Sequence, residues 1–176
     1  MEGKTHEHEA EMEIRTGVIT VSTSRYKKYG KVRGLEMLDE IDDPSGKEVA
    51  ERLKFQVEGY ALVPDDKGEI LKALEEILPR VDAVIITGGT GLNPFDVTVE
   101  AIEPLFEKKI EGFGEIFRYL SFKEIGTPAI LSRATAGVIG GKIVFCLPGS
   151  KRAVSLAVNL INDFLKHLIS HSRGIK

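Results

Sequence analysis

Cysteine is almost missing from this sequence: Cys146 is the only one among 176 residues, and tryptophan is absent. A single thiol excludes an intramolecular disulfide and any cysteine-rich zinc site. Its place inside the apolar run Ile143 to Leu147 reads as a small buried hydrophobe. Side-chain amides are scarce as well. Asn93, Asn159, Asn162 and Gln56 are the whole set, while charged residues make up 29% of the chain, the composition of proteins from hot environments. Positive charge is not in excess: 24 Lys and Arg stand against 27 Asp and Glu, and the basic clusters are only pairs such as Lys27-Lys28 and Lys151-Arg152. That balance argues against a nucleic-acid partner. No apolar run approaches the roughly 20 residues of a membrane span, and the first residues are charged, so a cytoplasmic protein without membrane contact is expected.

The length suits one domain with one sizeable core. Residues 1–13 carry five Glu and two His with little to bury, which predicts a mobile acidic tail, and His6-Glu7-His8 within it would hold a metal only loosely. From residue 14 to 176 the pattern is that of a single domain. Thr16 to Val21 reads as a central strand, and Ser22 to Arg25 at its end as turn chemistry or a phosphate contact. Tyr26 to Glu40 has no clean period and is expected to be a loop with one short helical turn. Asp43 suits a helix N-cap and Pro44 the first helical position, with Val49, Ala50, Leu53 and Val57 on one face. Glu58 to Pro64 then reads as a strand, Lys67 to Leu78 as an amphipathic helix, and Asp82 to Thr87 as a third strand buried on both faces. Helical segments follow at Val97 to Phe106 and at Phe113 to Phe122, the latter with Phe113, Ile116, Phe117 and Leu120 on one side, a stripe that reads as core or subunit contact. Gly140-Gly141 joins two strand-like runs as a hairpin, and Lys151 to Ile169 closes the chain with Phe164 among its inward positions. The alternation predicts a three-layer αβα sandwich, its sheet mostly parallel, with an antiparallel hairpin near the C-terminus.

The densest chemistry lies between Asp82 and Thr98. The third strand empties into Thr87-Gly88-Gly89-Thr90-Gly91, where three glycines let the backbone approach a ligand closely. Asp96 and Thr98 follow near a helix start. Backbone N–H groups, hydroxyls and a carboxylate at a strand end make an anion and metal site. It is not a familiar nucleotide loop, because Gly88, Gly89 and Gly91 do not fit G-x-G-x-x-G and no G-x-x-x-x-G-K-[ST] occurs. Topology brings Asp43-Pro44-Ser45-Gly46 and Pro148-Gly149-Ser150 to the same edge. Asp65 and Asp66 read as an acidic helix entry or as further site carboxylates.

These motifs together, with Glu111 to Glu115, Ser121 to Gly126 and Ser132-Arg133-Ala134 between them, resemble the MoaB/Mog family of molybdenum-cofactor biosynthesis, from about Thr16 to Leu168. The stretch Ser121 to Gly126 is most similar to the MoaB branch. The resemblance implies a molybdopterin-binding domain that adenylylates molybdopterin with Mg-ATP and releases pyrophosphate. It assigns Gly88, Gly89, Thr90 and Gly91 to the pterin and its phosphate, and Ser45, Gly46, Pro148, Gly149 and Ser150 to ligand contacts. Asp96, Thr98 and Asp43 take catalytic roles, with Asp96 and Asp43 at Mg²⁺. It also implies a homotrimer or homohexamer and, in a hot environment, a cofactor that carries tungsten. The alternative is a molybdopterin binder of the same fold without adenylylation; CinA-type proteins linked to nucleotide pyrophosphate hydrolysis contain similar domains.

Overall fold

The computed structural model describes residues 12–175, so the acidic tail and its His6-Glu7-His8 lie outside the described residues apart from Met12 and Glu13. Seven strands form one sheet: β1 (Arg15–Val21), β2 (Val32–Arg33), β3 (Gln56–Val63), β4 (Ala83–Thr87), β5 (Lys108–Lys109), β6 (Thr135–Ile139) and β7 (Lys142–Leu147). Their order is β2-β3-β1-β4-β7-β6-β5. The central four, β3, β1, β4 and β7, are parallel, whereas β2, β6 and β5 are antiparallel to their neighbours. Six α-helices accompany them: α1 (Thr23–Tyr29), α2 (Pro44–Arg52), α3 (Lys67–Ile77), α4 (Thr98–Ile102), α5 (Glu111–Ile125) and α6 (Lys151–Ser172).

Period-two alternation along the parallel strands creates two cores, one on each face of the sheet. Val18, Leu62, Ile85 and Phe145 point to the face covered by α2, α5 and α6, where Val49, Phe117, Val154, Ile161 and Leu165 meet them. Their neighbours Ile19, Ala61, Ile86 and Cys146 point to the opposite face, against Ile70, Ala73, Leu74 and Ile77 of α3 and Ile102 of α4. Cys146 is fully buried, and that burial pushes its thiol pKa far up, consistent with a core residue. The three-layer arrangement expected from the sequence is the one observed.

Several local expectations are corrected. Helix α1 takes up the segment after β1, where a turn and then a loop with one short helical turn were expected; Ser22 caps it by accepting from the Arg25 N–H, and none of its residues is buried, so it carries no apolar period to read. The region that follows holds the short β2 and a 3₁₀ turn, Leu35–Glu40. Val57 belongs to β3, because α2 ends at Arg52. The expected helix from Val97 to Phe106 is only α4 followed by a 3₁₀ turn around Pro104. Phe164, placed inward by periodicity, and Ile116, on the stripe read as core or subunit contact, are each 53% exposed. Together with Phe113, Leu160 and Leu168 they line an apolar groove of about 400 Å³ between α5 and α6.

Candidate functional site

Four consecutive parallel strands finish at one edge, and β1 stands between β3, reached by one crossover, and β4, reached by another in the opposite direction. Such a reversal opens a crevice beyond the carboxyl ends of the strands. Here it is a cleft of about 580 Å³. The residues that follow each strand line it: Ser22, Thr23 and Ser24 after β1, Asp65 after β3, Gly88 to Gly91 after β4, and Pro148 to Ser150 after β7. A wall of a different character comes from Phe117, Ser121 and Ile125 of α5 and from Pro128, Ala129 and Leu131 beyond it.

The glycine loop keeps its shape through contacts that leave no room for a side chain. Gly88 and Gly89 have φ of 100° and 69°, in the region that favours glycine. A Cβ on Gly88 would strike the Val21 carbonyl oxygen, and one on Gly89 would strike the Thr98 hydroxyl. Thr98 is buried and serves as the loop's staple: its hydroxyl donates to Gly88 O at 2.7 Å and its N–H to Gly89 O at 3.0 Å. The loop also packs on the Pro148 turn. Gly88 N–H donates to Leu147 O at 2.9 Å, Thr87 Oγ1 donates to Pro148 O at 3.0 Å, and a Cβ on Gly149 would lie 3.3 Å from Gly88 Cα.

Two carboxylates flank this loop on the cleft wall, Asp65 and Asp96. Asp96 is not the helix cap that its position suggested, since the cap position of α4 is Val97 without a side-chain bond. Its Oδ2 instead accepts from the Asn93 N–H at 3.2 Å and lies 2.6 Å from where a Cβ on Gly91 would stand. Asp65 accepts from the Thr23 hydroxyl at 2.7 Å and from the Thr23 N–H at 3.3 Å, and its Oδ1 lies 3.1 Å from the corresponding point on Gly89. The N-cap of α3 is the next residue, Asp66, which accepts from the Glu69 N–H. Two adjacent acids thus have separate tasks.

Asp43 lies elsewhere. It is fully buried and does not line the cleft. Its carboxylate accepts from the Thr20 hydroxyl at 2.6 Å, the Tyr60 hydroxyl at 2.6 Å and the Gly46 N–H at 3.0 Å, so it caps α2 and ties that helix to β1 and β3. Burial and the adjacent Asp43 charge push the Tyr60 phenol pKa well above its ordinary value, which keeps it a hydrogen-bond donor. Ser45 and Gly46 are buried behind the cleft too; the Ser45 hydroxyl donates to Gly149 O at 2.5 Å and so supports the Pro148 turn from below. Ser150 reaches the cleft and caps α6, accepting from the Ala153 N–H at 3.2 Å. Of the residues singled out in the sequence, the structure gathers Gly88, Gly89, Thr90, Gly91, Asp96, Pro148, Gly149 and Ser150 on one surface, and it sets Asp43, Ser45, Gly46 and Thr98 directly behind it. Periodicity gave no hint of the α5 wall. The role of Asp65 had one available signal, its position just beyond a parallel strand.

A crevice at a topological switch point, with a stapled glycine loop and two carboxylates, defines an α/β protein built to receive a phosphorylated ligand. Residues 17–167 match the family described as "Probable molybdopterin binding domain". The chain is 46% identical over 162 residues to molybdenum cofactor biosynthesis protein B of Staphylococcus carnosus, covering 89% of each chain. It is 41% identical over 175 residues to the molybdopterin adenylyltransferase of Pyrococcus furiosus, covering 96% of each. The crystal structure of the tungsten cofactor synthesizing protein MoaB from Pyrococcus furiosus superimposes with a TM-score of 0.80 at 41% identity, covering 91% of this chain and 97% of that one. The chain therefore belongs to the molybdopterin-binding domain family of molybdenum-cofactor biosynthesis, in its MoaB/Mog group.

Proposed function

We propose that this protein is a molybdopterin adenylyltransferase. The observation that carries the reading is the pair Asp65 and Asp96 on either side of the glycine loop, within one cleft of about 580 Å³. In the reaction, a phosphate oxygen of molybdopterin attacks the α-phosphorus of ATP. The bond from that phosphorus to its bridging oxygen breaks, and pyrophosphate leaves with the oxygen. The chain's part is to hold two anions in line. Loop N–H groups from Gly89 to Gly91 receive the pterin phosphate, Gly88 being held by Leu147 O, and the Pro148 turn with the start of α6 receives phosphates of the partner ligand. The carboxylates cannot themselves attract phosphate, and their presence beside an anion loop fits a divalent cation that one or both of them would hold.

Among the described residues no group of three or more His, Cys, Asp or Glu surrounds a metal position. Two carboxylates fit Mg²⁺ nonetheless, since that ion is usually held by one or two carboxylates with substrate phosphates and water completing its shell. When bound it would offset phosphate charge and polarise the phosphoryl oxygens. Asp43, expected at the metal, already holds three donors, so its proposed part is to fix α2 and, through Ser45, the Pro148 turn. Among the described residues no helix is long and apolar enough to cross a membrane. A cytoplasmic homotrimer or homohexamer, the α5–α6 groove contributing to its contacts, completes the proposal, with a molybdenum or tungsten cofactor as the eventual product.

The test is to mix the protein with molybdopterin and Mg-ATP and follow pyrophosphate. Stoichiometric or catalytic release supports the reading. Tight pterin binding without pyrophosphate would instead support a binder of the same fold.

A further inference from the structure

Arg133 does not line the cleft, yet its guanidinium holds the glycine loop by three hydrogen bonds: Nε donates to Thr90 O at 3.3 Å and to Gly91 O at 3.1 Å, and Nη2 donates to Gly91 O at 2.7 Å. The same guanidinium pairs with Glu100 of α4 through Nη1, and through Nη2 at 3.3 Å. Both side chains are partly exposed, at 30% and 39%. In a planar trans peptide the C=O and the following N–H point in opposite directions. Capture of the Thr90 and Gly91 oxygens therefore turns the N–H groups of Gly91 and Leu92 away from Arg133. A cation behind those oxygens also polarises both peptides, which makes the N–H groups stronger donors to an anion.

We infer that Arg133 is the positioning residue of the glycine loop: its fork clamps two successive peptide oxygens, and so aims and polarises the N–H groups of Gly91 and Leu92 as donors to a phosphate. The inference rests on the reading of this loop as the receiver of the pterin phosphate. Lysine would keep the charge but not the fork, because a point ammonium cannot hold two carbonyls in fixed geometry. Glu100 has two opposed effects. It orients the guanidinium, and its negative charge offsets part of the field that the arginine projects through the loop.

Equilibrium dialysis of molybdopterin against the wild type, Arg133→Met, Arg133→Lys and Glu100→Gln, with pyrophosphate release assayed in parallel, tests the inference. Arg133→Met is expected to weaken pterin binding by about 10-fold or more and Arg133→Lys by about 3-fold or more, as lost charge-assisted polarisation implies. Glu100→Gln is expected to bind the pterin at least as tightly as the wild type, with a steeper salt dependence, because the retained arginine then acts unopposed. A merely structural ion pair predicts the opposite sign: Glu100→Gln would weaken binding alongside Arg133→Met. The inference is overturned by that result, by Arg133→Met binding within about twofold of wild type, well short of what a charged hydrogen bond contributes, or by no saturable pterin binding in the wild type. Should Arg133→Met fail to fold, the signs for Arg133→Lys and Glu100→Gln decide. Pterin binding by the wild type without pyrophosphate release would remove the enzyme reading and leave the Arg133 inference to the binding ratios.

Discussion

Single residues in this protein divide into those that meet a ligand and those that hold the residues that do. Asp96 and Asp65, both on the cleft wall, are proposed to belong to the first kind. Asp96→Asn or Asp65→Asn preserves shape while removing a charge, so each is expected to lower pyrophosphate release by about 100-fold or more with little change in unfolding midpoint. Steady-state kinetics beside thermal unfolding checks this, and unaltered turnover in both variants would remove the carboxylate pair from the mechanism. Asp43 belongs to the second kind. Asp43→Ala strips the α2 cap and leaves the Thr20 and Tyr60 hydroxyls without their acceptor, so it should cost about 3 kcal/mol in urea unfolding. Both residues are aspartates near glycines in the sequence. Only the three dimensions separate them: Asp43 is enclosed by donors from two strands, and neither strand is adjacent to it in the chain.

At the scale of elements, the glycine loop and α4 behave as one unit because Thr98 bonds back to Gly88 and Gly89. Gly89→Ala forces a Cβ into the Thr98 hydroxyl at a left-handed φ, which should destabilise the fold by about 1–3 kcal/mol and abolish saturable pterin binding. Helices α2 and α6 are joined by Glu48, which accepts from the Ser155 hydroxyl and pairs with Arg52 and, at 3.7 Å, Lys151. These partners, the Ser155 bond foremost, hold its carboxyl below the ordinary 4.5. The charged form is thus favoured by folding: its contribution is complete above about pH 4.5 and is lost as pH falls through the lowered value. Glu48→Gln should therefore cost about 1 kcal/mol at pH 7 and much less near pH 3, read from urea midpoints. Most elements were legible from period and punctuation. β4 and β7 announce themselves as unbroken apolar runs, and Gly140-Gly141 as their neighbouring hairpin. The extent of α1 was not legible, since it buries nothing, and neither was the exposure of Phe164, since periodicity reports which face is apolar and not whether anything covers it.

For the whole molecule, the apolar groove between α5 and α6 with the exposed Ile116 and Phe164 is the surface on which the oligomer proposal rests. The wild type is expected to sediment as a trimer or hexamer, and Phe164→Glu to shift it toward smaller species with little change in circular dichroism. A monomeric wild type would remove the oligomer proposal. The scarcity of amides and the many ion pairs predict a thermal midpoint above the ordinary mesophilic range of about 45–65 °C, measurable by calorimetry. The candidate site was readable in its loops, where glycine, aspartate and serine cluster, and much less so in its α5 wall, whose Phe117, Ser121 and Ile125 look like any helix core.

The strand order has one more consequence. The sheet ends in β2 on one side and β5 on the other, each only two residues long, and β5 is a pair of exposed lysines. A foreign strand seeking to extend the sheet meets only two residues and two positive charges at the β5 border, whereas β2 pairs with Ala61 and Leu62 alone and leaves the first half of β3 uncapped. Growth by strand addition is therefore disfavoured at the β5 border. The proposed contacts between copies then fall, on that side of the sheet, to side chains on the helical layers rather than to the backbone of an edge strand.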